Sequence, residues 1–321
     1  MKRNTLLSFA LLASFTTIAQ AETVFVTLEK DNALAVVDPI AGKLLKSVPV
    51  GQRPRGIAIS PDFKYLYIAT SDDNTIKVFD ATSLKEIGKL PSGEDPETFA
   101  LNPAGSRMYV SNEDDSMVTV IDLATKKALT QIKVGVEPEG ITVSPDNQWV
   151  ISASETTNML HWIDTKSNTI SDNTLVDPRP RALSFTADSQ QLWVTSEMAG
   201  TLMILDAKTH QLIKTVKFAD KGVTADKIQP VGVIVDSKRQ RAYVALGPAN
   251  RVAVLNAQTF EVEKYLLVGQ RVWNLAFSPD QKRLYTTNGV SNDISIIDLE
   301  AQKVTKSIAV GTYPWGVAVK P

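Results

Sequence analysis

The sequence contains no cysteine and only two histidines, and these absences exclude several kinds of functional site. Without cysteine the chain can form neither a disulfide nor a Cys-x-x-Cys-His haem attachment. His161 falls in a predicted strand and His210 in a predicted turn, and their spacing does not suit a pair of metal ligands. Glycine-rich phosphate loops and nucleophile elbows are missing as well. The sequence therefore predicts no catalytic side chain, no bound cofactor and no metal site.

Long hydrophobic runs are also scarce, and the main one lies at the start of the chain. Lys2 and Arg3 precede an apolar stretch from Leu6 to Ala13, and Ala19-Gln20-Ala21 matches a small-x-small cleavage site. This stretch is too short to span a bilayer, and no other stretch approaches the required length. We therefore predict a signal peptide over residues 1–21, cleavage after Ala21, and a periplasmic protein without a membrane span.

Positive charge is not in excess either. Removal of Lys2 and Arg3 leaves 32 basic and 35 acidic residues, a net charge of −3. Nucleic-acid-binding proteins usually carry a basic stripe. The charge balance therefore argues against nucleic acid as a partner.

What the chain does have is a repeat of about 42 residues. The residue that ends the third predicted strand of the unit recurs at steps of 42, 42, 42, 42, 50 and 42 residues. These positions are Asp38, Asp80, Asp122, Asp164, Asp206, Asn256 and Asp298. The residue that begins the first predicted strand recurs with the same period, at Pro54, Pro96, Pro138, Pro180, Pro230, Val272 and Pro314. Within one period, four alternating apolar runs begin at Ile57, Tyr65, Thr75 and Leu84, with turn residues between them. Seven periods of four strands predict an all-β, seven-bladed β-propeller with four-stranded antiparallel blades over residues 22–321.

The two ends of the mature chain each supply part of one repeat. Residues 23–27 align with the second strand of the unit, and residues 314–321 align with the first. We therefore expect the N- and C-terminal strands to combine in one blade, which closes the ring and removes two open sheet edges.

Several segments of the repeat resemble a known family. Met108-Tyr109-Val110-Ser111-Asn112 and Leu284-Tyr285-Thr286-Thr287-Asn288 resemble the core of the YVTN β-propeller repeat, as do Pro138-Glu139-Gly140-Ile141 and Ser144-Pro145-Asp146. The resemblance covers nearly the whole mature chain. With its predicted signal peptide and seven repeats, the chain resembles the periplasmic propeller proteins associated with PQQ-dependent alcohol catabolism. The resemblance implies an accessory role in such a system.

Three positions of the repeat share one face of the predicted ring: the residue before the proline of the first strand, the residue after that proline, and the residue after the second strand. They do so because the loop into the first strand and the loop after the second strand lie at the same end of a four-stranded meander. This face, which we call the funnel, carries large and charged residues at these positions. The candidate binding residues are Arg53, Arg55, Glu97, Glu113, Glu139, Glu155, Arg179, Arg181, Glu197, Arg271, Trp273, Tyr313 and Trp315. The eight extra residues of the 50-residue step, within 219–229, should lie on the same face as a mobile loop or lid.

Two interpretations of the funnel follow from its residues. Arginines suit carboxylates, and aromatic rings suit planar or cationic groups, so the funnel could bind a small anionic ligand, with PQQ as a candidate, or a periplasmic protein partner. Alternatively, arginine and glutamate on adjacent blades, such as Arg55 with Glu97, could simply neutralise each other. Under the first interpretation, Arg181→Ala should weaken binding with little loss of stability.

The sequence favours a monomeric, non-catalytic binding or accessory protein, and leaves enzymatic activity undecided. The first alternative is a propeller-type lactonase or lyase that uses funnel carboxylates, with or without a divalent metal. The second alternative is a nucleic-acid-binding YVTN propeller. The regular tryptophan-docking repeats expected of quinoprotein dehydrogenases are missing.

Overall fold

The computed structural model describes residues 22–321, and over this range the chain forms 28 strands in seven four-stranded antiparallel sheets. The predicted seven-bladed β-propeller is confirmed. The predicted signal peptide and its cleavage site after Ala21 lie outside the described residues. None of the helical segments in the described range is long and apolar enough to cross a membrane.

Blades are numbered 1 to 7 from the first complete sheet, and the strands of each are given from the channel outwards. Blade 1 contains β4 Pro54–Ile59, β5 Tyr65–Thr70, β6 Thr75–Asp80 and β7 Glu86–Pro91; blade 2 contains β8 Pro96–Leu101, β9 Arg107–Asn112, β10 Met117–Asp122 and β11 Lys127–Lys133; blade 3 contains β12 Pro138–Val143, β13 Trp149–Ser154, β14 Met159–Asp164 and β15 Thr169–Leu175; blade 4 contains β16 Pro180–Phe185, β17 Gln191–Ser196, β18 Thr201–Asp206 and β19 Leu212–Lys217. Blade 5 contains β20 Val233–Val235, β21 Arg241–Ala245, β22 Arg251–Asn256 and β23 Val262–Leu267; blade 6 contains β24 Val272–Phe277, β25 Arg283–Asn288, β26 Asp293–Asp298 and β27 Lys303–Ala309; blade 7 contains β28 Pro314–Lys320, β1 Thr23–Leu28, β2 Ala33–Asp38 and β3 Lys43–Pro49. Short 3-10 turns span Ser71–Asp73 and Ala225–Lys227.

Ring closure follows the predicted scheme. The C-terminal strand β28 pairs antiparallel with β1, so the last strand of the chain is the innermost strand of the blade that the N-terminus completes. The carboxylate of Glu22, which directly precedes β1, accepts a hydrogen bond from the Tyr285 hydroxyl (2.9 Å) and pairs with Arg283 of blade 6. The N-terminal end of blade 7 is therefore fastened to its neighbour.

The hydrophobic core lies between the blades. The two middle strands of each sheet are buried on both faces, and the outer strand is largely exposed, as in β3. Between blades 7 and 1, Phe25 and Leu34 contact Leu66 and Phe79, all at most 3 % exposed. Each blade thus buries its apolar residues only when both neighbours are present, as expected for a closed repeat array.

The fourth strand of the repeat begins later than the sequence predicts. In blade 1 the predicted run starts at Leu84, whereas β7 starts at Glu86. The carboxylate of Asp80 accepts hydrogen bonds from the backbone N–H groups of Thr82 and Ser83 (3.1 and 2.7 Å), and Leu84 has φ = 58°. The marker aspartate therefore organises a turn that includes Leu84.

The glycine of the Pro-x-Gly segments has a packing role between inner strands. A Cβ atom on Gly140 would lie 2.1 Å from the carbonyl oxygen of Arg181, and one on Gly316 would lie 2.4 Å from that of Arg55. Glycine lets the inner strand of the next blade approach. In blade 6 the same position is Asn274, whose side-chain amide instead donates to the carbonyl oxygen of Trp315 (3.0 Å).

Candidate functional site

Backbone hydrogen bonds hold the aligned funnel positions together at one end of the ring. The N–H of the residue after the second strand donates to the carbonyl oxygen of the residue before the first strand. This bond measures 3.0 Å from Glu113 to Asp95 and 2.8 Å from Glu197 to Arg179. The predicted sharing of one face is therefore correct, and the side chains of both positions emerge beside each other at the channel mouth.

A recurring asparagine fixes the backbone at the channel mouth, and the sequence analysis did not identify it. The N–H of Arg53 donates to the side-chain oxygen of Asn32 (2.9 Å), and that of Arg179 donates to Asn158 (3.0 Å). Arg53 and Arg179 both have positive φ, at 48° and 60°. The asparagines recur with the repeat, at 32, 74, 158, 250 and 292, so the period itself held this signal.

The first group of ion pairs joins blades 7, 1 and 2. Arg53 contacts Asp95 (2.7 Å) and Glu97 (2.8 Å). Arg55 pairs with the other oxygen of Glu97 and lies 3.4 Å from Glu29 of blade 7. Glu97 is fully buried, so its charge depends on these two guanidinium groups.

The second group centres on Arg181 of blade 4. Its guanidinium pairs with Glu139, lies 2.5 Å from Glu155, and lies 3.6 Å from Glu197. Arg179 also contacts Glu155 (2.9 Å) and Glu197 (3.1 Å). Arg271 of blade 6 reaches Glu197 at 3.1 Å.

All five predicted arginines are therefore engaged by carboxylates. The charge neutralisation that the sequence left open is present, and an incoming anion would have to compete with glutamates already in place. The structure also changes the expectation for Arg181→Ala. The side chain is only 9 % exposed and faces three carboxylates, so its loss should destabilise the ring.

Three carboxyl groups of the funnel have raised pKa values, because the neighbouring arginines do not fully offset their burial and their mutual repulsion. Burial raises the pKa of Glu97 to about 7, although Arg55 opposes the shift. Burial, with the nearby carboxyls of Glu97 and Glu139, raises the pKa of Glu113 to about 8. Burial also raises the pKa of Glu139, with Arg181 opposing and Glu155 reinforcing the shift. We call Glu97, Glu113 and Glu139 the acidic trio.

The aromatic residues of the funnel lie on the opposite side and are already in contact with cations. The guanidinium carbon of Arg271 is 4.2 Å from the centroid of the Trp273 ring. That of Arg55 is 5.6 Å from the Trp315 ring, and the Lys30 ammonium is 5.9 Å from the Tyr313 ring. The aromatic surfaces thus already stabilise positive charge within the funnel.

Below the mouth, the central channel contains a cavity of about 180 Å³. Inner strands of six blades contribute to its wall. It is lined by Thr98, Glu139, Gly140, Ile141, Arg181, Ala182, Leu183, Val231, Gly232, Val233, Trp273, Asn274 and Trp315. Four predicted funnel residues, Glu139, Arg181, Trp273 and Trp315, therefore reach the channel interior, whereas the other nine do not line this cavity.

The segment 219–229 connects β19 to β20 on the funnel face, as predicted. Asp220 pairs with Arg251 (3.0 Å), and Ile228 is buried against blades 4 and 5. Gln229 accepts a hydrogen bond from Arg271 (2.9 Å), which stacks on Trp273. The insertion is thus connected to the aromatic side of the funnel. Its mobility stays a prediction.

One group of carboxylates has the spacing of a candidate metal site. Asp95, Glu97 and Glu113 can each place an oxygen within 4.8 Å of the other two. Two of them are already paired with Arg53 and Arg55. The absence of a bound metal, which the sequence analysis expects, stays a prediction.

Both histidines lie outside the funnel's set of contacts. His161 is buried, its Nε2 accepts the N–H of Gly135 (2.8 Å), and its Nδ1 faces the Asn173 oxygen at 2.6 Å. Burial lowers the pKa of His161. His210 stacks on Trp162 with ring centroids 3.8 Å apart. These contacts give both histidines structural roles in blades 3 and 4.

Comparison with known proteins agrees with this architecture. The family model described as "Lactonase, 7-bladed beta-propeller" matches residues 23–137. The family model described as "Choice-of-anchor I domain" matches residues 112–277, just over half of the chain. No curated protein matches the chain.

Solved structures with similar folds come from several organisms. A putative 6-phosphogluconolactonase from Bacteroides uniformis ATCC 8492 is 16% identical with a TM-score of 0.79, and the match covers 94% of this chain and 100% of that one. A functionally unknown protein from Desulfotomaculum acetoxidans DSM 771 is 15% identical with a TM-score of 0.79, over 92% of this chain and 98% of that one. Kuenenia stuttgartiensis hydrazine synthase is 19% identical with a TM-score of 0.56, over 76% of this chain and 95% of that one. At these identities the likeness shows the fold alone.

Proposed function

This chain belongs to the choice-of-anchor I domain family and forms a seven-bladed β-propeller, and we propose that it works as a non-catalytic binding protein. Its funnel would dock a segment of a partner protein. The observation that carries this proposal is the channel mouth itself, where charged and aromatic side chains from several blades converge above a cavity. Such convergence of polar groups on a concave surface is typical of binding sites.

The wider role is inferred from the resemblance to YVTN propellers of PQQ-dependent alcohol catabolism. On that basis we propose a periplasmic, monomeric accessory protein of an alcohol oxidation or transport system. PQQ is the small-molecule alternative to a protein partner. Its carboxylates would have to displace glutamates from Arg55, Arg181 or Arg271, so we favour the protein partner.

The proposal can be tested with variants on opposite faces of the ring. Tyr313 lies at the funnel and is half-buried, whereas Phe63, which is 41 % exposed, occupies a Ser-Pro-Asp turn on the other face. Tagged wild-type protein and the variants Tyr313→Ala and Phe63→Ala would be recovered from periplasm of cells grown on alcohol, and bound proteins identified by mass spectrometry. We expect Tyr313→Ala to lose a component of the PQQ-linked system that Phe63→Ala retains. Equal capture of the partner by both variants would contradict a docking site at the funnel. Saturable binding of PQQ, with no protein captured, would instead make the funnel a small-molecule site.

A hydrolytic function is the second candidate, because residues 23–137 match the lactonase model. Glu139 supports it chemically, since a buried carboxyl with a raised pKa can donate a proton near neutral pH. A lactone-hydrolysis screen of wild type and Glu139→Gln tests this candidate. Turnover that disappears in a folded Glu139→Gln variant would favour the enzyme over the binding protein.

A further inference from the structure

The joints between neighbouring blades are filled differently around the ring, on the face opposite the funnel. In every blade, the turn after the third strand contains a residue with positive φ, four positions after the marker aspartate or asparagine. These residues are Gly42, Leu84, Lys126, Asn168, His210, Phe260 and Gln302. At three joints this residue inserts against the preceding blade. Leu84 packs in the cluster that joins blades 7 and 1. His210 stacks on Trp162 of blade 3, and the Phe260 ring lies 5.7 Å from that of Trp193 in blade 4. Such a joint therefore accepts a large apolar or aromatic side chain.

The joint between blades 1 and 2 has no such side chain. Its turn residue is Lys126, which is exposed and reaches over Gly88 of the outer strand β7, where a Cβ atom would lie 3.4 Å from Lys126 Nζ. Gly88 pairs with Val78, and Val78 pairs with Tyr67, so the three residues form one row across the face of blade 1 that meets blade 2. Because this row ends in a glycine, no side chain of blade 1 closes the outer end of the joint.

A groove of about 640 Å³ remains at this joint. Its walls are largely apolar. They include the buried residues Val78 and Leu90 and two exposed ones, Ile87 (45 %) and Tyr65 (39 %). The volume lies within the range of about 300–1,000 Å³ that is typical of ligand pockets. Exposed apolar side chains that adjoin a concave apolar surface are a mark of an interaction site.

Tyr67 gives an independent indication of a ligand. It lines the groove and is only 6 % exposed. Within residues 22–321 its hydroxyl has no hydrogen-bond partner, whereas the hydroxyl of Tyr285, at the equivalent position of blade 6, donates to Glu22. Burial, reinforced by Tyr65 and Asp62, raises the pKa of Tyr67 to about 12, so the hydroxyl is neutral at physiological pH. A neutral hydroxyl in a nearly buried residue calls for a partner from outside.

Two charged residues line the groove, one from each blade, and only one of them is already paired. Asp62 of blade 1 accepts a hydrogen bond from the Ser60 hydroxyl (2.6 Å) and lies 3.2 Å from the Lys64 ammonium. Lys126 of blade 2 has no ion pair in the described part of the chain. An acidic group on the occupant would therefore complement Lys126. A contact of this kind at the rim orients a ligand more than it tightens binding.

We propose that the groove between blades 1 and 2 binds an extended segment of a partner protein, through a large apolar or aromatic side chain next to an acidic residue. The apolar side chain takes the place that Leu84 and Phe260 take at their own joints, and Tyr67 hydrogen-bonds the segment. An extended segment suits the site because the groove follows β7, the edge strand of its sheet. The site is separate from the funnel, and Phe63, the control position for the funnel, does not line it.

Titration of the purified protein with blocked peptides, followed by NMR because this method detects weak binding, tests the ligand chemistry. Acetyl-Gly-Phe-Asp-Gly amide and acetyl-Gly-Asp-Phe-Gly amide are the probes, and the matched controls replace phenylalanine with alanine or aspartate with asparagine. We expect at least one probe to bind. Its alanine version should bind about tenfold or more weakly, because a buried aromatic side chain is lost. Its asparagine version should bind roughly two- to fivefold more weakly, as expected for an exposed ion pair.

Two variants locate the site. Lys126→Phe gives blade 2 the residue that blade 5 carries at Phe260, where φ is also positive, so it should fill the groove. It should abolish binding of the probes and raise the melting temperature by roughly 2–5 °C. Tyr67→Phe removes only the hydroxyl and should weaken binding about two- to tenfold, with the melting temperature unchanged. Its matched control is Tyr243→Phe, at the equivalent position of blade 5, which should leave binding unchanged.

Lys208→Phe is the control for Lys126→Phe. It adds an exposed ring to the turn of blade 4, whose joint His210 already fills, so neither binding nor the melting temperature should change. The inference is wrong if neither probe binds, if the alanine peptides bind as well as the probes, or if binding survives both Lys126→Phe and Tyr67→Phe. If Lys126→Phe does not fold, Tyr67→Phe against Tyr243→Phe decides alone.

Two further outcomes would replace the proposed occupant. Binding of 3-phenylpropionate without binding of either peptide would make the groove a site for small aromatic acids. Self-association of the wild type in analytical ultracentrifugation, abolished by Lys126→Phe and retained by Lys208→Phe, would make the occupant a second copy of this chain.

Discussion

Replacing Arg181 with methionine should destabilise the ring far more than removing an arginine from the surface. Methionine keeps much of the side-chain volume and removes the charge. The variant leaves Glu139, Glu155 and Glu197 without the guanidinium that they share. Removing one partner of a buried ion pair costs about 3–5 kcal/mol, because the remaining charge stays buried. We expect a loss within that range at pH 8.

The loss should depend on pH, and its sign follows from the carboxyls. Without Arg181, the folded-state pKa of Glu139 rises further above its unfolded value, so the folded chain binds more protons than the unfolded chain. Protonation at low pH then relieves the stranded charge, and stability falls as pH rises. The destabilisation should therefore be smaller at pH 5.5 than at pH 8, by roughly 1–2 kcal/mol.

Urea unfolding followed by tryptophan fluorescence measures these differences, provided that the slope with urea is unchanged. Arg241→Met is the matched control. Its pair with Glu263 is exposed, so the loss should be about 0–1 kcal/mol. The double variant Arg181→Met with Glu139→Gln should recover part of the stability, because one stranded charge is gone. A loss below about 1 kcal/mol, or an equal loss at both pH values, would refute the account of Arg181 as the centre of a buried network.

Four further predictions concern the ring. The acidic trio should make the unfolding free energy of wild type fall between about pH 5 and pH 8, because these carboxyls have raised pKa values in the folded state; denaturation at constant ionic strength checks this, and Glu113→Gln should flatten the slope. Glu22→Gln weakens the contacts with Arg283 and Tyr285 and should lower stability by about 1–3 kcal/mol in a thermal or urea melt, with no change arguing against the fastening. Removal of residues 313–321 takes away the inner strand of blade 7 and should prevent cooperative folding, whereas an unchanged melting temperature would show that closure is dispensable. Deletion of residues 221–226, which leaves Ile228 in place, should change the melting temperature little because loop length costs little; a large drop would show that the segment is structural.

Much of the fold could be predicted from the sequence because the repeat has a fixed period. The spacing of Asp38 and its equivalents gave the blade count, and the alignment of both termini gave the closing blade. The shared face of the funnel followed from the direction of alternate strands alone. These features depend on backbone topology, which a two-residue alternation and regular turns specify.

The interactions within the site could be predicted only in part. Arg55 with Glu97 was one anticipated pair, yet the reach of Arg271 across to Glu197 joins residues 74 positions apart. Such contacts depend on how far each blade is rotated against the next and on the rotamers of long side chains. The burial of Arg181 could not be predicted from residue type. Arg179, two residues earlier and also at the funnel, has a far more exposed side chain.

The residue after the inner-strand proline is where the ring can vary without losing its closure. Its backbone carbonyl makes the contact with the neighbouring blade, as Arg181 does with Gly140, and this contact does not depend on the side chain. Arg, Glu, Val and Trp all occur at the position, so the backbone contact itself allows different side chains there, although a buried one such as Arg181 also contributes to stability. A ring arranged only for stability would place opposite charges on adjacent blades, since like charges in a buried site repel each other. Glu97 and Glu139 break that rule, at the edge of a cavity, and local conflicts of this kind are expected where a structure serves binding. Protonation also relieves the conflict, because burial raises the pKa values of both carboxyls, and the acidic trio should therefore make the folded ring more stable near pH 5 than near pH 8.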